Sequence, residues 1–183
     1  MVLDVKQAIV ERRAYRSFDP APITQELMKD LATSASLSAS CFNDQPWRFV
    51  FVQSQPALKK LHTALSKGNQ WAEAASLIIV VYSKKDLDCQ LAGRDYYLFD
   101  TGMATAFLIL RATELGLVAH PIAGYDEAKV KDLFDIPKDM TVITLVNVGK
   151  HSSTIGKLLS EQQAQSEKSR PPRKPLNEIM SVR

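Results

Sequence analysis

Cysteine is scarce. Cys41 and Cys89 are the only two in 183 residues. Neither sits in a C-x-x-C pair, and two cysteines do not make a disulfide framework. A reducing compartment is therefore the expectation, with Cys41 an inert thiol rather than a nucleophile. Histidine is scarce too, at three residues. His62 and His151 read as surface residues, and His120 has no Ser, Cys or Asp partner at a telling spacing. The pattern thus offers no catalytic triad and no metal cluster. No G-x-G-x-x-G follows a strand-like run and no G-x-x-x-x-G-K-[ST] occurs, which argues against Rossmann and P-loop nucleotide sites. The stretch nearest to membrane length, Tyr96 to Leu117, carries Asp100, Arg111 and Glu114, which are costly in lipid. The opening Met1-Val2-Leu3-Asp4-Val5-Lys6 lacks a signal peptide's charged start and apolar run, so a cytoplasmic location is expected. Charge of one sign is nearly balanced, 23 Lys and Arg against 20 Asp and Glu, a net +3. That suits a small anionic ligand and is weak support for nucleic acid.

What is present fits one domain with a tail. Hydrophobic residues make up 45% and charged residues 23%, ordinary for a globular chain long enough to bury a core. Leu3 to Arg12 reads as a helix capped by Asp4, and Thr24 opens a second helix with Leu27, Met28, Leu31, Ala32 and Ala35 on its buried face. Trp47 to Val52 reads as a strand, Pro56 to Leu65 as a helix, and the apolar run Leu77 to Tyr82 as a buried strand. Ser83 to Asp95 is polar, a loop or short excursion. Tyr96 to Leu115 is a long helix, apolar nearly all round, that Gly116 can end. Leu117 to Ile122, Asp126 to Phe134 and Thr141 to Val148 follow as strand, helix and strand. The order points to an α+β or α/β layer fold. From Ser152 to Arg183 the composition turns polar and then proline-rich, which reads as an arm rather than a second domain.

Three clusters could carry chemistry. Arg12, Arg13 and Arg16 follow the first helix. Cations there complement the helix dipole, and guanidinium groups also grip phosphate; read alone, the dipole explanation is favoured. Ser40, Asn43 and Gln45 lie in a loop before Pro46-Trp47. They are turn formers, and amides also offer both donors and acceptors to a planar heterocycle. His120-Pro121-Ile122-Ala123-Gly124-Tyr125 joins a strand to a helix, with Gly124 permitting close backbone approach.

The order of these clusters is what resembles a known family. Glu11-Arg12-Arg13-Ala14-Tyr15-Arg16-Ser17-Phe18 is similar to the RRSxRxF opening of the FMN-dependent nitroreductases. Ser40-Cys41-Phe42-Asn43-Asp44-Gln45-Pro46-Trp47-Arg48-Phe49 resembles their PSxxNxQPWrF segment. Asp100-Thr101-Gly102-Met103-Ala104, with Glu114-Leu115-Gly116-Leu117, resembles their central helix. His120 to Asp126 and Arg173-Lys174-Pro175-Leu176 resemble two further segments in the same order.

The resemblance implies an α+β homodimer, a central, mainly antiparallel sheet flanked by helices, and a C-terminal arm (152–183) exchanged onto the partner, where it adds a strand. FMN would lie between subunits. Arg12, Arg16 and Arg173 match phosphate positions. Arg13 and Ala14 match positions near the phosphate and ring edge, and Ser40, Asn43 and Gln45 positions at the ribityl chain and ring. Pro121, Ile122, Ala123 and Gly124 match the backbone beside the flavin, and Asn69 an amide near the ring. Arg12 or Arg13 is the candidate for a positive group at the ring's pyrimidine end. The implied reaction is ping-pong electron transfer from NADH or NADPH to a nitroaromatic, a quinone or a related acceptor. Ala14 stands where Ser is common and Ala39 where Pro is usual. Other FMN enzymes of the same fold (flavin reductase, dehydrogenase, flavin-fragmenting) and a non-catalytic flavin-binding scaffold are the alternatives.

Overall fold

The computed structural model describes residues 4–183; Leu3, the expected first residue of the opening helix, and Met1-Val2 lie outside them. Helix α1 (Val5–Glu11) starts at a capping box. The Asp4 carboxylate accepts the Gln7 N–H at 2.8 Å, and the Gln7 side chain accepts the Asp4 N–H at 3.0 Å, so two otherwise orphaned donors are satisfied reciprocally. Strand β1 (Phe18–Asp19) is followed by α2 (Gln25–Ser36), whose first turn is closed by Thr24 as expected.

Strand β2 (Arg48–Val52), helix α3 (Gln55–His62), strand β3 (Leu77–Ser83) and helix α4 (Tyr97–Glu114) fall where periodicity places them. Between β3 and α4 the polar excursion forms a small hairpin, β4 (Gln90–Leu91) and β5 (Arg94–Asp95). It turns through Ala92 and Gly93, both at positive φ, the backbone that a tight two-residue hairpin demands. Helix α4 ends at Gly116, φ +74°, whose left-handed conformation lets Leu117 N–H reach the Ala112 carbonyl at 2.9 Å. Strand β6 (Val118–Ile122), helix α5 (Glu127–Leu133) and strand β7 (Thr141–His151) complete the core.

The fold is α+β. The sheet runs β2–β3–β7, and the far edge of β7 pairs with β6 and then β1; every pairing is antiparallel. Both faces are covered, so β3 is apolar along its length and Leu77 to Val81 are fully buried. On one face Leu58, Leu61, Trp71, Val80 and Leu145 form a core with α3 and α5. On the other, Leu31, Ile79, Ala104, Leu108 and Val146 pack α2 and α4 against the sheet. Each large side chain so buried contributes about 1.5–3 kcal/mol. Helix α4 buries Thr101, Ala104, Thr105, Leu108 and Ala112 along one stripe and leaves Phe99 and Phe107 exposed on the opposite face. No helix among the described residues is long and apolar enough to cross a membrane.

The cysteines depart from expectation. Cys41 and Cys89 form a disulfide across 48 residues of sequence. The excursion after β3 folds back onto the loop that precedes Pro46, and this brings the two Cα atoms to 5.9 Å, ordinary bridging distance. The two free thiols expected from sequence are absent.

The arm contains helices α6 (Glu161–Lys168) and α7 (Leu176–Ile179) and, among the described residues, no strand. Its first part packs on its own chain: Ser152 N–H donates to the Ser17 carbonyl, and Gly156 N–H to the Ser17 hydroxyl, each at 3.0 Å. Residues 171–183 are exposed.

Candidate functional site

The link from α1 to β1 sets the site. Because β1 must reach β7, Arg12 to Ser17 run outside any helix along the molecule's edge. Helix α6 lies against this link. The Glu167 carboxylate accepts the N–H groups of Arg16 and Ser17 at 2.9 and 3.1 Å. The Arg13 guanidinium donates to the Ser166 carbonyl at 2.7 Å and to the Tyr15 hydroxyl at 3.0 Å, and sits over the Tyr15 ring. Arg170 donates to the carbonyls of Val10 and Arg12.

A cleft of ≈ 160 Å³ results, lined by Arg12, Arg13, Arg16, Arg170 and Arg173, with Ala14 and Ser166 in its wall. Among the described residues none of these five arginines makes a salt bridge. The nearby acid, Glu167, is already engaged by backbone donors. The Arg12 guanidinium is held below its ordinary pKa, first by burial and then by the charges of Arg170 and Arg173. Crowded cations without counter-charge attract anions.

The remaining predicted positions form separate groups. Asn69 donates to the Gly124 carbonyl at 3.0 Å, and a Cβ on Gly124 would displace that same amide, so glycine here preserves the close approach of Asn69. Pro121 and Ala123 are exposed and Ile122 is buried. The loop with Ser40, Asn43 and Gln45 is turned through positive φ at Phe42, Asn43 and Gln45. Ser40 braces it by accepting the Gln45 N–H at 3.0 Å, and the Gln45 amide donates to the Asn43 carbonyl at 3.1 Å. Asn43 and Gln45 are exposed. This loop does not line the arginine cleft of its own chain. Sequence reasoning missed Arg170 and Glu167. Arg170 stands in the same basic run as Arg173, whereas Glu167 lies in a polar stretch with no pattern of its own.

His120 ties two of these groups together. Its Nδ1–H donates to the Tyr15 carbonyl at 2.9 Å, and its ring lies against Trp71 with centroids 4.7 Å apart. Its pKa is lowered to about 4, first by burial and also by the charges of Arg16 and Arg12, while the Tyr15 carbonyl and Glu167 oppose the shift. The folded state therefore favours neutral imidazole. Between pH 6.5 and about 4 the unfolded chain binds the proton better. Stability should rise with pH across that window and be lost on acidification through it, by up to about 3 kcal/mol. His120→Asn, which cannot titrate, should flatten the dependence of Tm on pH between about pH 7 and about pH 4.5. An unchanged slope would place the titration elsewhere.

Comparison with known proteins agrees with this architecture. The family model described as Nitroreductase family matches residues 9–75 and 54–150. A protein of Xanthomonas oryzae pv. oryzae, named provisionally as NADH dehydrogenase/NAD(P)H nitroreductase, is 31% identical over 156 residues, 75% of this chain and 80% of its own length. A crystal structure titled as an oxidoreductase containing FMN has a TM-score of 0.82 at 27% identity, covering 95% of this chain and 89% of its own. A provisionally assigned nitroreductase of Exiguobacterium sibiricum, solved in complex with FMN, has a TM-score of 0.81 at 23% identity, covering 99% and 98% of the two chains. The chain belongs to the nitroreductase family.

Proposed function

We propose that this protein is an FMN-dependent oxidoreductase that carries electrons from NADH or NADPH to nitroaromatic, quinone or related acceptors, and that it works as a cytoplasmic homodimer. The observation that carries the reading is the cleft of five arginines without a carboxylate partner. A terminal phosphate supplies the missing charge. Arg12, Arg16 and Arg173 hold it, Arg170 fixes the backbone that presents Arg12, and Arg13 braces the arm through Ser166 and adds positive potential. Bound there, the flavin supplies the redox chemistry, alternating in ping-pong fashion between donor and acceptor.

Asn43 and Gln45 do not line the cleft of their own chain, which favours a site completed between two subunits. A second feature supports the dimer. Helices α1, α2 and α4 frame an apolar groove of ≈ 330 Å³ lined by Val5, Ala8, Leu37, Phe107 and Leu110, with Val5 73% and Leu37 75% exposed. A contiguous apolar face of this kind marks an interaction surface.

The test is an absorbance spectrum of the purified protein, repeated without oxygen after NADH or NADPH is added. Flavin bands that bleach support a redox flavoenzyme and identify its donor. A colourless protein that takes up no added FMN leaves the scaffold alternative. A coloured protein that neither nucleotide reduces removes NAD(P)H as donor.

A further inference from the structure

The cysteine pair has a neighbour that a purely structural bridge does not need. Cys41 Sγ, Cys89 Sγ and a carboxylate oxygen of Asp88 all lie within 4.8 Å of one another. Asp88 is 7% exposed. One of its oxygens accepts the Cys89 N–H at 2.8 Å, and the other, Oδ2, is buried with no partner among the described residues. Asp100, 1% exposed, stands behind the pair and accepts the Cys41 N–H at 2.6 Å. The Asp88 carboxyl is pushed above its ordinary pKa, first by burial, against the pull of the Cys89 N–H, and also by the charge and closeness of the Asp100 carboxyl and the charge of Asp44. A buried carboxyl that holds its proton more tightly than usual, within 4.8 Å of both sulfurs, is suited to proton transfer at that bond.

The bridge is also placed where opening it leaves the core whole. It joins two surface segments, the loop before Pro46 and the hairpin excursion, and neither cysteine belongs to the apolar clusters on the two sheet faces. Cys41 is half-buried and Cys89 is nearly closed off, so an incoming thiolate reaches Cys41 first.

We propose that Cys41–Cys89 is a reversible thiol–disulfide exchange site for a dithiol reductant, with Asp88 as the acid that protonates the departing sulfur. A thiolate of the dithiol attacks Cys41 Sγ, the S–S bond breaks, and its electron pair leaves on Cys89 Sγ, which takes the proton from Asp88. The reductant's second thiol loses its proton to solvent and attacks its own sulfur of the mixed disulfide. Cys41 leaves as thiolate and is protonated from water, as is Asp88. The chain's disulfide is reduced to two thiols and the dithiol is oxidised to its disulfide. Once open, the hairpin β4–β5 is no longer tied to the loop bearing Asn43 and Gln45, while Asp100 and the Ser83 hydroxyl, which donates to the Pro46 carbonyl, keep that loop in shape. Only the cytoplasmic setting, where a persisting disulfide is usually catalytic or redox-sensing, rests on the function proposed above.

The test reads thiols, so it is independent of flavin colour and turnover. Protein as purified is mixed with dithiothreitol, quenched with an alkylating agent at intervals and weighed by mass spectrometry. The expected result is complete, reversible conversion, restored by oxidised dithiothreitol, and a reduction rate about tenfold or more slower in Asp88→Asn. With glutathione as a monothiol probe, the trapped adduct is expected on Cys41 of the unaltered protein. A wild-type rate in Asp88→Asn, an adduct on Cys89, or thiols that never pair in oxidised dithiothreitol would each overturn the assignment.

Discussion

Arg12→Ala is expected to weaken FMN binding about ten- to a hundredfold, the loss of one charge-assisted hydrogen-bonding group worth about 1.5–3 kcal/mol. The same change should leave the unliganded protein as stable as before or slightly more so, because Arg12 is opposed by Arg170 and Arg173 in the folded state. This opposite movement of affinity and stability separates a ligand-binding residue from a structural one. Arg13 is a poor substitute for the test, since its guanidinium already serves Tyr15 and Ser166. Arg173→Ala should act in the same direction as Arg12→Ala but less, being more exposed. Fluorescence titration with FMN, paired with thermal melts of the unliganded variants, measures both quantities. Unchanged affinity in both variants would end the phosphate assignment.

If the proposed FMN-binding dimer is correct, removal of residues 152–183 is expected to abolish FMN retention and dissociate it. The deletion leaves β7 intact, since that strand ends at His151. It strips away Arg170 and Arg173, and with Glu167 the acceptor for the N–H groups of Arg16 and Ser17. Two of the cleft's five arginines are lost, and the link that carries the other three is no longer held. The exposed Leu176, Ile179, Met180 and Val182 of the arm's end leave with it, and with them the apolar surface of an exchanged arm, while the groove of α1, α2 and α4 remains. Light scattering and absorbance of the truncated protein decide the matter. A stable dimer that remains yellow would refute an exchanged arm.

The long elements of the fold were legible because each repeats its signal. Leu77 to Val81 is an unbroken apolar run, and α4 carries small and apolar residues over five turns. Strand β1 was not legible. It has two residues, and its partners His151 and Lys150 lie more than 130 positions away, beyond any local pattern. The Lys67–Ala74 3-10 segment has no period of its own and exists because Trp71 must reach the core. Helix α6 is polar apart from Ala164 and buries Glu167 alone, so no apolar stripe announced where it packs. The cysteine pairing was hidden for a similar reason: Cys89 lies in a polar stretch without pattern, and only the return of the excursion brings it to Cys41. In the candidate site, Arg12, Arg16 and Arg173 were found through sequence order, whereas Arg170 and Glu167 act through backbone atoms, which leave no trace in side-chain patterns.

The way β7 is shared has a consequence for the order of assembly. One edge of it binds β3 and the other binds β6 and then β1. Arg12 and Arg16 leave the ribosome early, yet β1, which fixes them, has nothing to pair with until residues 150 and 151 have been made, and α6 comes later still. Closing so long a loop is slow relative to local helix formation. Competence to hold a phosphate therefore arises last, after the hydrophobic layers have formed. A nascent chain carries its arginines exposed for most of its synthesis, and under the proposed function cofactor capture reports completion of the C-terminal arm.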